Sequence, residues 1–231
     1  HQTPNTKHHF ITYKSLSMKR IFFFILIACF ANTLATGQNA EYQTTMEEVV
    51  ADIQGAPFGE DLIPFANILE RVAAAETKEW LPSYWAAYCY MMKSFTEPVA
   101  EKKDLLLDKA EQLIATADTL SPKNDEIEVL KANIASARMA VDPMNRWQRY
   151  GAQAAMAIAK AKSINPLNPR ITLHEAQGVF YTPEAYGGGK QKAMPLIKFA
   201  VEQFAIFKPA SAIMPNWGAP VAQYLLGEAQ K

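Results

Sequence analysis

The sequence is short of the residues from which most catalytic and metal sites are made. Only two of its 231 residues are Cys and four are His. Three of those His fall within residues 1–17, which leaves His174 alone in the rest of the chain. A Ser-His-Asp or Cys-His arrangement would have to use His174, which sits mid-helix in ITLHEAQGVF without a nucleophile-elbow motif. His174-Glu175 begins like HExxH, but position 178 is Gly, so the second zinc ligand is missing. No CxxC pair and no Gly-centred acidic loop for calcium is present. His174 is therefore expected to be an ordinary helix-surface or core residue, and no cofactor or metal is expected.

Strand signals are also scarce. There is no Asn-Gly or Asp-Gly turn and no sustained alternation of Val, Ile and Thr. A basic block is missing too: residues 1–37 carry four basic and no acidic residues, so the remainder has a net charge of −4. Such a chain is a poor nucleic-acid binder, because phosphate neutralisation needs clustered Lys and Arg. Long apolar runs are absent as well. The most apolar stretch, Ile21 to Ala31, has 11 residues, and a membrane span needs about 20.

That short run has another use. Met18, Lys19 and Arg20 precede it, and Ala35-Thr36-Gly37 follows with small residues. A basic start, a short apolar core and a small-residue cleavage site make a secretory signal. Residues 18–37 thus read as a signal peptide cut before Gln38, residues 1–17 as an upstream extension, and 38–231 as one domain in the periplasm or outside the cell. A competing reading takes Leu26-Ile27-Ala28-Cys29 as a lipobox, with Cys29 acylated and the protein anchored to a membrane. If Cys29 leaves with the signal, Cys89 remains alone and no internal disulfide forms. Its apolar setting, WLPSYWAAYCYMM, predicts a buried, inert thiol.

What the chain does have is helix formers punctuated by Pro, Asn and Gly. Helices are expected over 41–54, 61–76, 80–95, 98–119, 125–140, 143–162, 169–181, 190–207 and 217–229. An internal repeat organises them. ADTLSPKNDEIEVLKA from Ala117 and AKSINPLNPRITLHEA from Ala161 align at an offset of 44 residues. Asn124 and Asn168 suit N-caps, and Pro169 suits the first helical position. Asp125 and Glu126 suit the positive end of the following helix dipole.

The tetratricopeptide repeat has this grammar of Ala, bulky residue, Ala and Pro. Ala110, Ile114, Ala117 and Pro122 fit it, as do Ala154, Ile158, Ala161 and Pro166. Ala193, Ile197 and Ala200 begin a third copy whose Pro209 comes four residues late, as if the helix were one turn longer. The chain therefore resembles tetratricopeptide-like proteins, and its C-terminal stretch YTPEAYGGGKQKAMPLIKFA, followed by MPNWGAPVAQYLL, resembles exported bacterial proteins of this type whose function is uncharacterised. That resemblance implies an all-α fold: a short right-handed α-solenoid of antiparallel helix pairs, with the first helix of each pair lining a concave face.

Function is read from what such a face could carry. RWQRY places Arg146, Arg149 and Tyr150 together, and Tyr181 and Tyr186 lie near a Gly-rich turn. Tyr and Arg bind through ring stacking and forked hydrogen bonds. These five residues are the expected binding set for a protein or peptide partner in the cell envelope. The protein is expected not to be an enzyme. The alternative is an envelope hydrolase with a carboxylate pair in the groove, Glu175 and Glu184 being one such pair. Gly187-Gly188-Gly189-Lys190 reads as a turn, since a phosphate loop needs a preceding strand and a GK[ST] ending.

Overall fold

A computed structural model describes residues 40–231. The signal segment 18–37, the extension 1–17 and Cys29 lie outside the described residues. The compact unit runs from Tyr42 to Lys231. It is all-α, with no strand among the described residues. The helices are α1 (residues 40–55), α2 (Ile63–Ala75), α3 (Leu81–Thr96), α4 (Ala100–Leu120), α5 (Asp125–Val141), α6 (Pro143–Ile164), α7 (Pro169–Tyr181), α8 (Lys190–Ile206) and α9 (Ala219–Ala229). A short 3₁₀ turn at Glu184–Tyr186, not expected from the sequence, joins α7 to α8. No helix among the described residues is long and apolar enough to cross a membrane.

Local chemistry sets the boundaries. The Asn124 side chain accepts hydrogen bonds from the amides of Glu126 and Ile127, at 3.0 and 3.4 Å, and so starts α5. Asn168 does the same for α7 through the Arg170 amide at 3.0 Å. Asp142 caps α6, with Pro143 at a position where a missing N–H costs nothing. Helix α8 runs six residues past Ala200, whereas α4 and α6 run three past Ala117 and Ala161, so the late Pro209 does mark a longer helix. Gly188 lies so close to the carbonyls of Thr182 and Val179 that no side chain would fit the α7–α8 turn.

Packing follows the repeat. Each helix from α2 to α9 packs on its neighbour in sequence, and α3, α5 and α7 also touch one another in series. The Ala and Ile positions of the three repeat copies are all buried. Small residues there let the paired helices approach closely. The interior is not uniform. One apolar cluster joins α1 to α5, a second joins α7 to α9, and a smaller one lies between α5, α6 and α7. Helix α3 is apolar round most of its girth and is sandwiched as expected, with Tyr84, Trp85 and Cys89 fully buried.

The inner face corrects one expectation. The α3–α5–α7 surface is not an open groove, because residues 207–218 lie across it. Ile213 is buried against the first cluster, and Trp217 packs on both the first and the third.

Candidate functional site

The open groove lies on the other side of α5, between α4 and α6. It has a volume of about 420 Å³. Ile114 of α4, Ile134 and Ala135 of α5 and Ala157 of α6 give it an apolar lining. Tyr150, Gln153, Met156 and Lys160 reach it from successive turns of α6. Lys131 and Glu128 of α5 and Glu111 of α4 complete it.

Ion pairs tie both ends. At one end Asp104 of α4 accepts two hydrogen bonds from Arg146 of α6, both at 2.7 Å. Arg138 of α5 also holds Asp104, at 2.9 Å, and binds Asp108 and Glu111. The Arg146 guanidinium, with Arg138 in support, holds the Asp104 carboxyl below its usual range. At the other end Lys131 bridges Asp118 of α4, at 2.8 Å, and Glu128, at 2.9 Å. Lys160 of α6 reaches the same Glu128 oxygen at 2.6 Å. The Glu128 side chain is only 4 % exposed, so two ammonium groups neutralise a buried carboxylate.

The expected binding residues divide accordingly. Arg149 and Tyr150 line the groove, and Arg146 closes its end. All three belong to α6, the second helix of its pair, and not to the concave face. The Arg149 guanidinium lies 5.1 Å from the centre of the Tyr150 ring and pairs with no carboxylate among the described residues. It is therefore the groove cation available to an incoming anion. Tyr181 and Tyr186 are exposed at the end of α7 and in the 3₁₀ turn, away from the groove.

The remaining chemical candidates have structural partners. His174 accepts or donates a hydrogen bond with Ser136 at 3.0 Å, and burial lowers its pKa. Burial raises the Cys89 thiol. Glu175 pairs with Lys162 at 3.1 Å, while Glu184 packs against Gly189. Neither of those acids lines the groove. Among the described residues no group of three or more His, Cys, Asp or Glu is placed to hold a metal ion.

Glu126 stands in the first turn of α5, as expected, and has a second role there. It does not simply face the helix dipole: it is buried and pairs with Arg170 of α7 at 2.9 Å. Burial raises its carboxyl to about 7, while Arg170 pulls the other way.

Sequence reasoning missed Lys131, Lys160, Glu128 and Met156 as groove residues. The 44-residue repeat held the signal, since Gln153, Met156, Ala157 and Lys160 align with Lys109, Gln112, Leu113 and Thr116 on the matching face of α4.

No protein-family model matches the chain, and no curated protein does. A solved structure does match: the HusA haemophore from Porphyromonas gingivalis, with a TM-score of 0.73 and 35 % sequence identity. The match covers 82 % of this chain and 92 % of that one. A haemophore is a carrier and not a catalyst, in agreement with the noncatalytic reading of the sequence. With that identity over nearly the whole of its relative, this chain belongs to the same family as HusA.

Proposed function

We propose that the protein is an exported carrier that holds haem, or a close tetrapyrrole relative, in the α4–α6 groove. The match to a haemophore across 92 % of that protein carries this reading. The groove chemistry supports it. Haem is a flat apolar ring with a pair of propionates on one edge. Met156 and Ala157 offer apolar area, and Tyr150 offers a ring face. Arg149, which no carboxylate among the described residues holds, offers a partner for a propionate. No His or Cys lines the groove, so contact with the ring and pairing with its propionates carry the recognition. The partner is thus a small planar ligand in place of the protein or peptide that the solenoid alone suggested. The basic start, apolar run and small-residue site within residues 18–37 support export.

Titration with haemin, followed by its visible absorbance, tests the proposal. Saturable binding at one haem per chain, with Kd about micromolar or tighter, is expected. An unchanged spectrum up to about 100 µM haemin would sink it.

A further inference from the structure

We propose that residues 207–218 are a displaceable strap that keeps an aromatic inner face shut. The proposal concerns the face opposite the outer groove and holds whatever ligand that groove carries.

The seat of the strap is unusual in its chemistry. Three polar anchors fasten it, each to a different helical side chain. The Trp85 indole N–H donates to the Ile213 carbonyl at 2.8 Å. Arg170 donates to the Pro215 carbonyl at 2.5 Å. The Trp217 indole donates to the Tyr84 hydroxyl at 2.9 Å. The strap has little structure of its own to hold it there. Within 207–218 the only internal backbone bond among the described residues is the turn from the Met214 amide to the Ser211 carbonyl.

Its central anchor sits on a costly base. Arg170 is fully buried, with the rings of Phe207, Trp217 and Phe204 at 4.7, 5.3 and 5.9 Å. It pairs with the buried Glu126, yet Arg170 Nε and Glu126 Oε2 find no hydrogen-bond partner among the described residues. A buried ion pair gains least against its desolvation when such atoms stay unpaired. Releasing the strap would let water reach both. The strap also joins two separate apolar clusters, since Ile213 belongs to that of α1–α5 and Trp217 packs on both that cluster and the one between α5, α6 and α7. Gly218 ends it at φ +113°, where an added Cβ would stand 2.6 Å from the Phe204 ring. This junction accepts only glycine and can serve as a hinge. Lifting the strap would uncover the Tyr84, Trp85 and Tyr88 rings, stacked edge to face at 5.5–5.6 Å.

Exchange of the indole N–H protons, read by NMR on the full chain, tests this directly. Trp→Phe variants assign the signals of Trp80, Trp85, Trp147 and Trp217. Trp85 and Trp217 are expected to exchange at one common rate, about tenfold or more above the slowest backbone amides of α5. Arg170→Lys keeps the charge and loses the fork. It should speed both indoles by about another tenfold and leave the amides of α4 and α6 unchanged. Exchange of the two indoles only at the rate of the slowest core amides would overturn the proposal. So would unequal rates, or an Arg170→Lys effect spread evenly over all helices. Should that variant fail to fold, the wild-type rates alone decide.

Discussion

The two grooves flanking α4 are built on matching positions but carry different chemistry. Gln153, Met156, Ala157 and Lys160 line the α4–α6 groove. Their equivalents 44 residues earlier, Lys109, Gln112, Leu113 and Thr116, line the α2–α4 groove. The second groove is the larger, at about 520 Å³ against about 420 Å³. It has no aromatic side chain in its lining, and its hydroxyls are partly spent. Thr116 and Thr119 donate to carbonyls of their own helix. Its one lysine, Lys109, is held by Glu70 at 2.6 Å. Volume therefore does not distinguish the grooves. The α4–α6 groove stands apart through a ring, Tyr150, and a cation without a carboxylate, Arg149.

Reversing that cation should have the largest effect. Arg149→Glu is expected to weaken haemin binding by about a hundredfold, or roughly 2.7 kcal/mol, because it removes a partner and sets a like charge beside the propionates. The side chain is exposed, so the melting temperature should hardly change. Lys109→Gln in the other groove should leave the titration as it is. Equal losses from both variants would erase the distinction between the grooves, and spectral titration reads both.

Next comes the buried acid. Glu128→Ala leaves Lys131 and Lys160 without their shared carboxylate, although both ammonium groups can still reach water. A cost of about 1–2 kcal/mol in urea unfolding is expected. Glu70→Ala should cost less, about 0.5–1 kcal/mol, because the Glu70 side chain is 28 % exposed. If the order is reversed, Glu128 is not what braces the α5–α6 side of its groove.

Much of this molecule is legible in its sequence because its local signals agree. The caps at Asn124 and Asn168 work as spaced, and the late Pro209 does follow a longer helix. What the sequence concealed is long-range. The strap carries no periodicity, and its anchors lie 128 and 133 residues away on α3. The groove lining was half visible. RWQRY marked Arg149 and Tyr150, but their companions Lys131 and Glu128 come from another helix. One clue stood in plain view. Arg170 occupies the first turn of α7, where the helix dipole disfavours a cation. Its partner Glu126 is the same repeat position one copy earlier, 44 residues back. A residue that violates its local rule points to a partner elsewhere.

The smallest effect concerns pH and the Asp104 end of the α4–α6 groove. Arg146 and Arg138 lower the Asp104 pKa below its ordinary 3.8. A carboxylate with a depressed folded-state pKa binds protons more readily once unfolded. Its stabilising contribution is therefore present above pH 3.8 and is lost as pH falls through the lower folded value. Arg146→Gln removes the first of the two holders and leaves Arg138 in place. The variant should melt slightly below the wild type near neutral pH, because the pair is partly exposed and worth little. Below pH 3.8 the two melting curves should converge, as the wild type loses what the variant already lacks. The closely neighbouring charges are Arg138, Asp108 and Glu111, unchanged in the variant, so the convergence reports on Asp104. A gap that stays constant down to acid would mean that Arg146 braces the groove by packing its stem and not by holding Asp104.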